Sequence, residues 1–294
     1  MKKFLLPVFF IFNLTLIFSQ SGSLSPYSFY GIGENTFKGT MENRSMGGLN
    51  VYSDSIHLNL TNPAAYTELE LVNYSVGIDY SNISLKTETS NEKVTTASIN
   101  YLAVAIPTKR LVFGFGLIPK TSVGYLLESK DDSKIPNQVD RYEGDGGVNT
   151  AFLSFGFKVF KKIRLGISAN YDFGSLEHSN SRFLDGVELY TRVQSNSSLS
   201  GVSFNYSILF KEKISNDLTL HATYIINPTS KLSSNNTQTL FTIPGLGGYG
   251  GDSEEIDLAA LKLDKTKISI PSSNSLGLGI GKETKWFMGF DYTL

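Results

Sequence analysis

Taken two residues at a time, the chain separates into an apolar and a polar face. Between residues 72 and 81 the even positions are Val72, Tyr74, Val76, Ile78 and Tyr80, and the odd ones are Asn73, Ser75, Gly77, Asp79 and Ser81. Successive side chains of a strand point to opposite faces, so this stretch makes a strand with one apolar side. The alternation returns at Ile163, Leu165, Ile167, Ala169, Tyr171 and Phe173, and at Val202, Phe204, Tyr206, Ile208 and Phe210. Leu218, Leu220, Ala222, Tyr224 and Ile226 form another stripe, and Trp286, Met288, Phe290, Tyr292 and Leu294 the last. Further strands are expected over residues 94–106, 111–125, 148–160 and 267–281. In the first of these the apolar phase switches between Tyr101 and Leu102, which predicts a bulge.

The connections are sorted by length. Residues 107–110, 161–162, 211–217 and 282–285 are short connections, while 86–93, 126–147, 174–199 and 228–266 are long ones. Short turns on one side and long loops on the other are the pattern of a transmembrane β-barrel that starts in the periplasm. A soluble β-sandwich also alternates, but has no reason to sort its connections and uses shorter strands. Mean hydropathy is −0.08, and no segment after the N-terminus has the long apolar run of a spanning helix. The expected fold is therefore all-β, an antiparallel transmembrane barrel. Nine strands are counted within the 294 residues, an odd number, so a sequence truncated inside its barrel is expected.

Lys2 and Lys3 followed by an apolar run over residues 4–18 and Ser19-Gln20-Ser21-Gly22 predict an export signal over residues 1–19. Pro7 and Asn13 inside the run argue against the alternative, a membrane anchor. The mature chain is expected in the outer membrane of a Gram-negative cell, with residues 20–71 as a hatch or plug and 72–294 as an incomplete barrel. With no cysteine, disulfide scaffolds, thiol catalysis and cysteine zinc sites are excluded. A net charge of −1 argues against a dedicated nucleic-acid binder.

Few motifs point to chemistry. Gly245-Leu246-Gly247-Gly248-Tyr249-Gly250 matches a dinucleotide fingerprint by letter, but Ile243-Pro244 precedes it and no helix follows at once, so it reads as a loop. Residues 253–263 read as an amphipathic helix, with Ser253 as cap and Ile256, Ala259, Ala260 and Leu263 on one face. His57, His178 and His221 lack metal spacing, and Tyr142-Glu143-Gly144-Asp145-Gly146-Gly147 lacks the spacing of a calcium loop. No catalytic residue, metal or cofactor is expected, although a Ser/His pairing in the fold stays open.

On several ordered pieces the sequence resembles the FadL/TodX family of outer-membrane transporters, in the version common in the Bacteroidetes. The pieces are Met46-Gly47-Gly48, Asp54 with Asn62-Pro63-Ala64, residues 115–125, residues 142–147, and Ile270-Pro271 before Gly277-Leu278-Gly279. The resemblance implies that Gly47, Gly48, Asn62, Pro63 and Ala64 belong to a hatch closing the barrel interior. It also implies an inward kink and lateral gate near Pro119 and Gly124, and a ligand-landing loop carrying Ile256, Ala259, Ala260 and Leu263. The implied function is passive uptake of a hydrophobic small molecule, a long-chain fatty acid or hydrocarbon, delivered sideways into outer-membrane lipid. Arg141, Arg182 and Arg192 are available for a carboxylate. The alternatives are a shuttle or anchor that binds a partner protein in type IX secretion, and a surface barrel that transports nothing.

Overall fold

The alternating segments join into one antiparallel sheet whose apolar stripes lie on its exposed face. The computed structural model describes residues 25–86, 91–131, 133–215, 218–244, 251–282 and 285–294. Its strands are β1 (Glu34–Asn35), β2 (Asn73–Lys86), β3 (Asn91–Pro107), β4 (Leu111–Asp131), β5 (Gln138–Lys158) and β6 (Ile163–Leu184). They continue with β7 (Leu189–Lys213), β8 (Thr219–Asn227), β9 (Ser230–Pro244), β10 (Ser253–Glu255), β11 (Lys265–Ile270), β12 (Ser273–Lys282) and β13 (Trp286–Thr293). Neighbours along the sheet follow the order β13-β12-β8-β7-β6-β5-β4-β3-β2.

β7 pairs with β8 over one half and with β9 over the other, and β12 and β11 pair with β8 and β9 in turn. β8 with β9, and β11 with β12, are thus single legs interrupted near Pro228 and Pro271, where a proline removes a ladder donor. Counted as legs, β2 to β7, β8 with β9, β11 with β12, and β13 give nine, as the periodicity predicts.

Polarity along these legs is inverted and then restored. Near the short turns Tyr74 is 78% exposed and Phe290 68%, while Asp172 is 1% exposed, and Asn205, Ser207 and Thr223 are buried on the opposite face. Farther along the same strands the apolar residues turn inward. Val123, Tyr125, Val148, Leu176 and Leu199 form a buried cluster, and Glu177 and Arg182 are exposed outside. A spanning strand needs about 9–11 residues. β6 has 22 and β7 has 25, so each is longer than a span would need, with one half whose exterior is apolar and a further half built like a water-soluble sheet.

Two expectations change here. The long connections are mostly not loops, since β4 with β5, β6 with β7 and β9 with β10 continue their ladders through them. Residues 253–263 form no helix. β10 pairs with β9 through Ser253, Glu254 and Glu255, and residues 258–262 are turns with Lys262 at φ 57°. The Asp257 carboxylate accepts the Ala259 and Ala260 N–H groups at 3.0 and 3.1 Å. A three-turn helix is marginal alone, and here a sheet edge and an Asx turn compete for the same backbone groups. Ile256, Ala259, Ala260 and Leu263 therefore share no helical face. The bulge predicted between Tyr101 and Leu102 lies one residue away, at Asn100, where the pairing of β2 with β3 shifts register.

The segment before β2 runs along the inner face and touches both ends of the strand order. It contains a short helix α1 (Met41–Ser45) and a 3-10 helix, Pro63–Glu68. Arg44 pairs with Asp79 of β2 at 3.4 Å, and the Asn50 N–H donates to the Asp291 carboxylate of β13. One segment reaches both, so the sheet curls around it.

Candidate functional site

The 3-10 helix sits on a floor of small residues. Gly156 and Gly166 are directly paired across β5 and β6, and Gly166 is paired with Ser207 of β7. A Cβ on Gly166 would lie 2.1 Å from the Ala64 nitrogen, so only glycine admits the helix this close. The Ala64 N–H donates to Ser207 Oγ at 2.8 Å. Pro63 opens the helix, where its missing N–H costs nothing. Asn62 is fully buried and donates to the Asn50 carbonyl at 3.1 Å.

At the end of the same helix, Glu68 accepts from Arg164 of β6 at 2.5 Å and from Lys211 of β7 at 2.9 Å. Burial alone would raise its carboxyl, but Lys211 and Arg164 outweigh that and hold it below the ordinary value. Three anchors therefore fix Pro63–Glu68: backbone contact, a hydroxyl and a doubly paired charge. Gly47 and Gly48, at φ 73° and 83°, turn the chain out of α1, and the Gly48 N–H closes on the Asn43 carbonyl at 2.7 Å.

A second feature is a seam in the sheet wall. β3 and β4 pair only between Leu102–Pro107 and Leu117–Val112, although both strands continue. Past Leu117 the edge of β4 is taken by the N-terminal segment instead. β1 pairs with Ser122 and Thr121, Thr36 donates through N–H to the Lys120 carbonyl at 3.1 Å and through Oγ1 to the Pro119 carbonyl at 2.6 Å, and the Ser25 N–H donates to the Gly124 carbonyl at 2.9 Å. Pro119 and Gly124 thus both lie on this rerouted edge, each with its carbonyl bound by the N-terminal segment.

Lys120 is the extra residue of a bulge, since Pro119 opposes Asn149 and Thr121 opposes Val148. Its ammonium donates to Asp172 of β6 at 2.6 Å, and Thr150 and Ser203 also donate to that carboxylate, at 2.5 and 3.3 Å. Outside the bend lies a groove of about 790 Å³, bordered by Ser98, Ile99 and Asn100 of β3, by Thr36, and by Tyr171 and Phe173 of β6.

A third feature is a cleft of about 570 Å³ at the short-turn end, between Asp54, His57, Lys211, His221, Trp286 and Phe287. Asp54 accepts from Tyr52, from the His57 ring and from the N–H groups of Ile56 and His57. Burial would raise its carboxyl, but these hydrogen bonds lower it overall. Ser53 and His221 lie 3.3 Å apart, Oγ to Nδ1, a serine–histidine pairing of the kind that the sequence left open. Both are buried and Phe287 packs edge-on against the His221 ring at 5.2 Å, an arrangement that packs the segment onto β8.

The other sequence candidates disperse. Arg141 pairs with Glu128, Arg182 with Asp140, and Arg192 with Glu143, at 2.5, 2.8 and 3.7 Å on the projecting hairpins. His178 meets the Tyr125 hydroxyl at 2.8 Å. Among the described residues no group of three acidic or histidine side chains could hold a metal. The glycine-rich run 245–250 and the export signal 1–19 lie outside the described residues. Sequence reasoning missed the Glu68 and Lys120 ion pairs, because their partners are 96 and 52 residues away in the chain.

Comparison with known proteins corrects the resemblance drawn from the motifs. The family model described as BamG matches residues 1–294, and that family is related to the BAM complex of outer-membrane protein assembly, not to FadL/TodX. The reading as a passive channel for fatty acids or hydrocarbons is overturned with it. The family associates the chain with the outer membrane. No curated protein and no solved structure matches the chain.

Proposed function

The chain belongs to the BamG family, and from that premise we propose that it is a membrane-embedded, non-enzymatic component of an outer-membrane protein assembly complex, binding a protein partner. An export signal at residues 1–19 fits that destination. The observation that carries the reading is the inside-out spanning half beneath a projecting half with a polar exterior. A belt containing Tyr74, Ile78, Tyr206, Ile208, Met288 and Phe290 suits lipid. The ladders above it turn Asn196, Ser198, Asn235 and Thr237 outward, hydrogen-bonding side chains that suit a wet protein interface.

The interior supports the same reading. A segment held by Glu68, Asn62, Ala64 and Asn50 stiffens the sheet from within, as a scaffold requires. The test is purification of the tagged protein from native membranes in mild detergent. Stoichiometric recovery of the assembly machinery is expected, together with impaired insertion of other outer-membrane proteins on depletion. Recovery of the protein alone, with normal insertion on depletion, would overturn the proposal.

A further inference from the structure

The seam leaves one strand edge open. β3 pairs with β2 from Asn91 to Ala105, skipping the bulged Asn100, but on its other side only Leu102–Pro107 meet β4. Among the described residues, 91–101 have no backbone partner on that second side. The facing edge of β4 is filled by β1, Thr36 and Ser25, so the two sides of the seam are asymmetric.

Strand edges are usually guarded by proline, charge or covering structure, because alternate N–H and C=O groups point outward and recruit other strands. Val94-Thr95-Thr96-Ala97-Ser98-Ile99-Asn100-Tyr101 carries no charge and no proline, and is rich in β-branched residues. The groove of about 790 Å³ opens beside Ser98, Ile99 and Asn100, with Ile99, Tyr171 and Phe173 as apolar wall and Thr36 and Thr121 as polar wall. The edge lies where the apolar exterior gives way to the polar one, and on the apolar side an acyl chain can neither donate to it nor accept from it.

We propose that residues 94–101 of β3 form a strand-addition site that takes an extended segment of a partner outer-membrane protein, hydrogen-bonded along the open edge with side chains in the groove. The chain itself uses this mode across the seam, where β1 and Thr36 add to β4. The inference rests on the proposed role in outer-membrane protein assembly, because proteins handled there are themselves built from strands.

The chain has no cysteine, so single cysteines placed at residues 95 to 99 report position without background. Disulfide or short-linker cross-linking in native membranes, mapped by mass spectrometry, is expected to join successive β3 positions to successive positions of one partner strand. The backbone amides of 94–101 that face the seam are expected to exchange about tenfold or more slowly in the isolated complex than in the protein alone. Ala97→Pro and Ser98→Pro each remove one N–H, and alternation means that only one of them faces the seam. The variant that keeps the β2 ladder is expected to fold and lose the cross-link.

Cross-links only to a second copy, only to the N-terminal segment, or in no fixed register would overturn the proposal, as would unchanged exchange. If the complex is recovered while the edge stays unpaired, strand addition fails and the assembly role stands. If no complex is recovered, the parent reading fails first.

Discussion

The Lys120 ammonium lies 2.6 Å from the Asp172 carboxylate, two strands away, and Lys120 is also the unpaired residue of a bulge. In a regular ladder its side chain would follow the alternation of β4. Lys120 keeps the inward phase of Val112 and Ile118, over a carboxylate that is buried between Thr150 and Ser203, and the inserted residue shifts the phase after it, so that Thr121, Val123 and Tyr125 also turn inward. The bend that opens the seam and the charge pair on the inner wall thus meet at one residue. The same bend exposes the Pro119 and Lys120 carbonyls to Thr36.

Removing the cation is expected to cost more than removing both charges. Lys120→Met leaves Asp172 buried beside one more distant cation, Lys38, and breaking a buried pair this way costs about 3–5 kcal/mol. Lys120→Met with Asp172→Asn is expected to recover most of that loss. Urea midpoints of the purified protein in lipid vesicles measure both. Equal destabilisation in the single and double variants would mean that the pair does not hold the bend.

Acid is expected to release the N-terminal segment. The Glu68 carboxyl is lowered in the folded protein by Lys211 and Arg164, against the opposing effect of burial. A carboxyl lowered by folding contributes stability that is full above its unfolded value, 4.5, and is lost as pH falls through the lower folded value. Protease cleavage within residues 40–71 is therefore expected to stay constant from neutral pH down to about 5 and to rise below about 4.5, using an acid-active protease. Glu68→Gln is expected to be cleaved faster at neutral pH and to show a smaller acid-linked rise, since Asp54, lowered in the same segment, still titrates.

The half with the apolar exterior was legible because its stripe repeats on strand after strand, the pattern that lipid would require of an exposed face. The stripes from Val72 to Tyr80 and from Trp286 to Tyr292 obey it without interruption, and the nine legs follow. The projecting half answers to water instead. Apolar residues turn inward at Leu176 and Leu199, and Ser- and Asn-rich ladders look like loops by composition. Residues 253–263 show the same ambiguity, since spacing that suits a helix also suits a short strand and turn once β9 offers an edge. The ion pairs of Glu68 and Lys120 were illegible because they depend on which strands the segment crosses. The family was misread because Gly-Gly and Asn-Pro-Ala describe how a segment turns and packs inside a curled sheet, and that geometry can serve more than one function.

Packing at Gly166 offers a local test. A Cβ there would lie 2.1 Å from the Ala64 nitrogen and 2.4 Å from the Pro63 carbonyl carbon. Gly166→Val is expected to lift the 3-10 helix from β6 and to cost about 1–3 kcal/mol, the usual range for overpacking. Leu165→Val, one residue away on the exposed face, is expected to change little. Hydrogen exchange at Ala64 reads the displacement directly, because its N–H donates to Ser207. Protection at Ala64 that is unchanged in Gly166→Val would mean that the glycine floor does not hold the helix.

The inverted polarity predicts opposite responses to one substitution at two heights of the sheet. Ile208 is exposed on β7 between Leu165 of β6 and Tyr224 of β8, inside the apolar belt. Arginine at such a site costs about 2–4 kcal/mol at the bilayer midplane. Asn180 is also exposed, but on the projecting half of β6, where arginine meets water and is expected to cost less than about 0.5 kcal/mol. The sole tryptophan, Trp286, is half-exposed on β13 and supplies a fluorescence signal for unfolding in vesicles. A large loss for Ile208→Arg with a negligible one for Asn180→Arg places the boundary of the membrane between the two positions. Equal losses would place both in one environment and remove the division of each strand into a spanning and a projecting half.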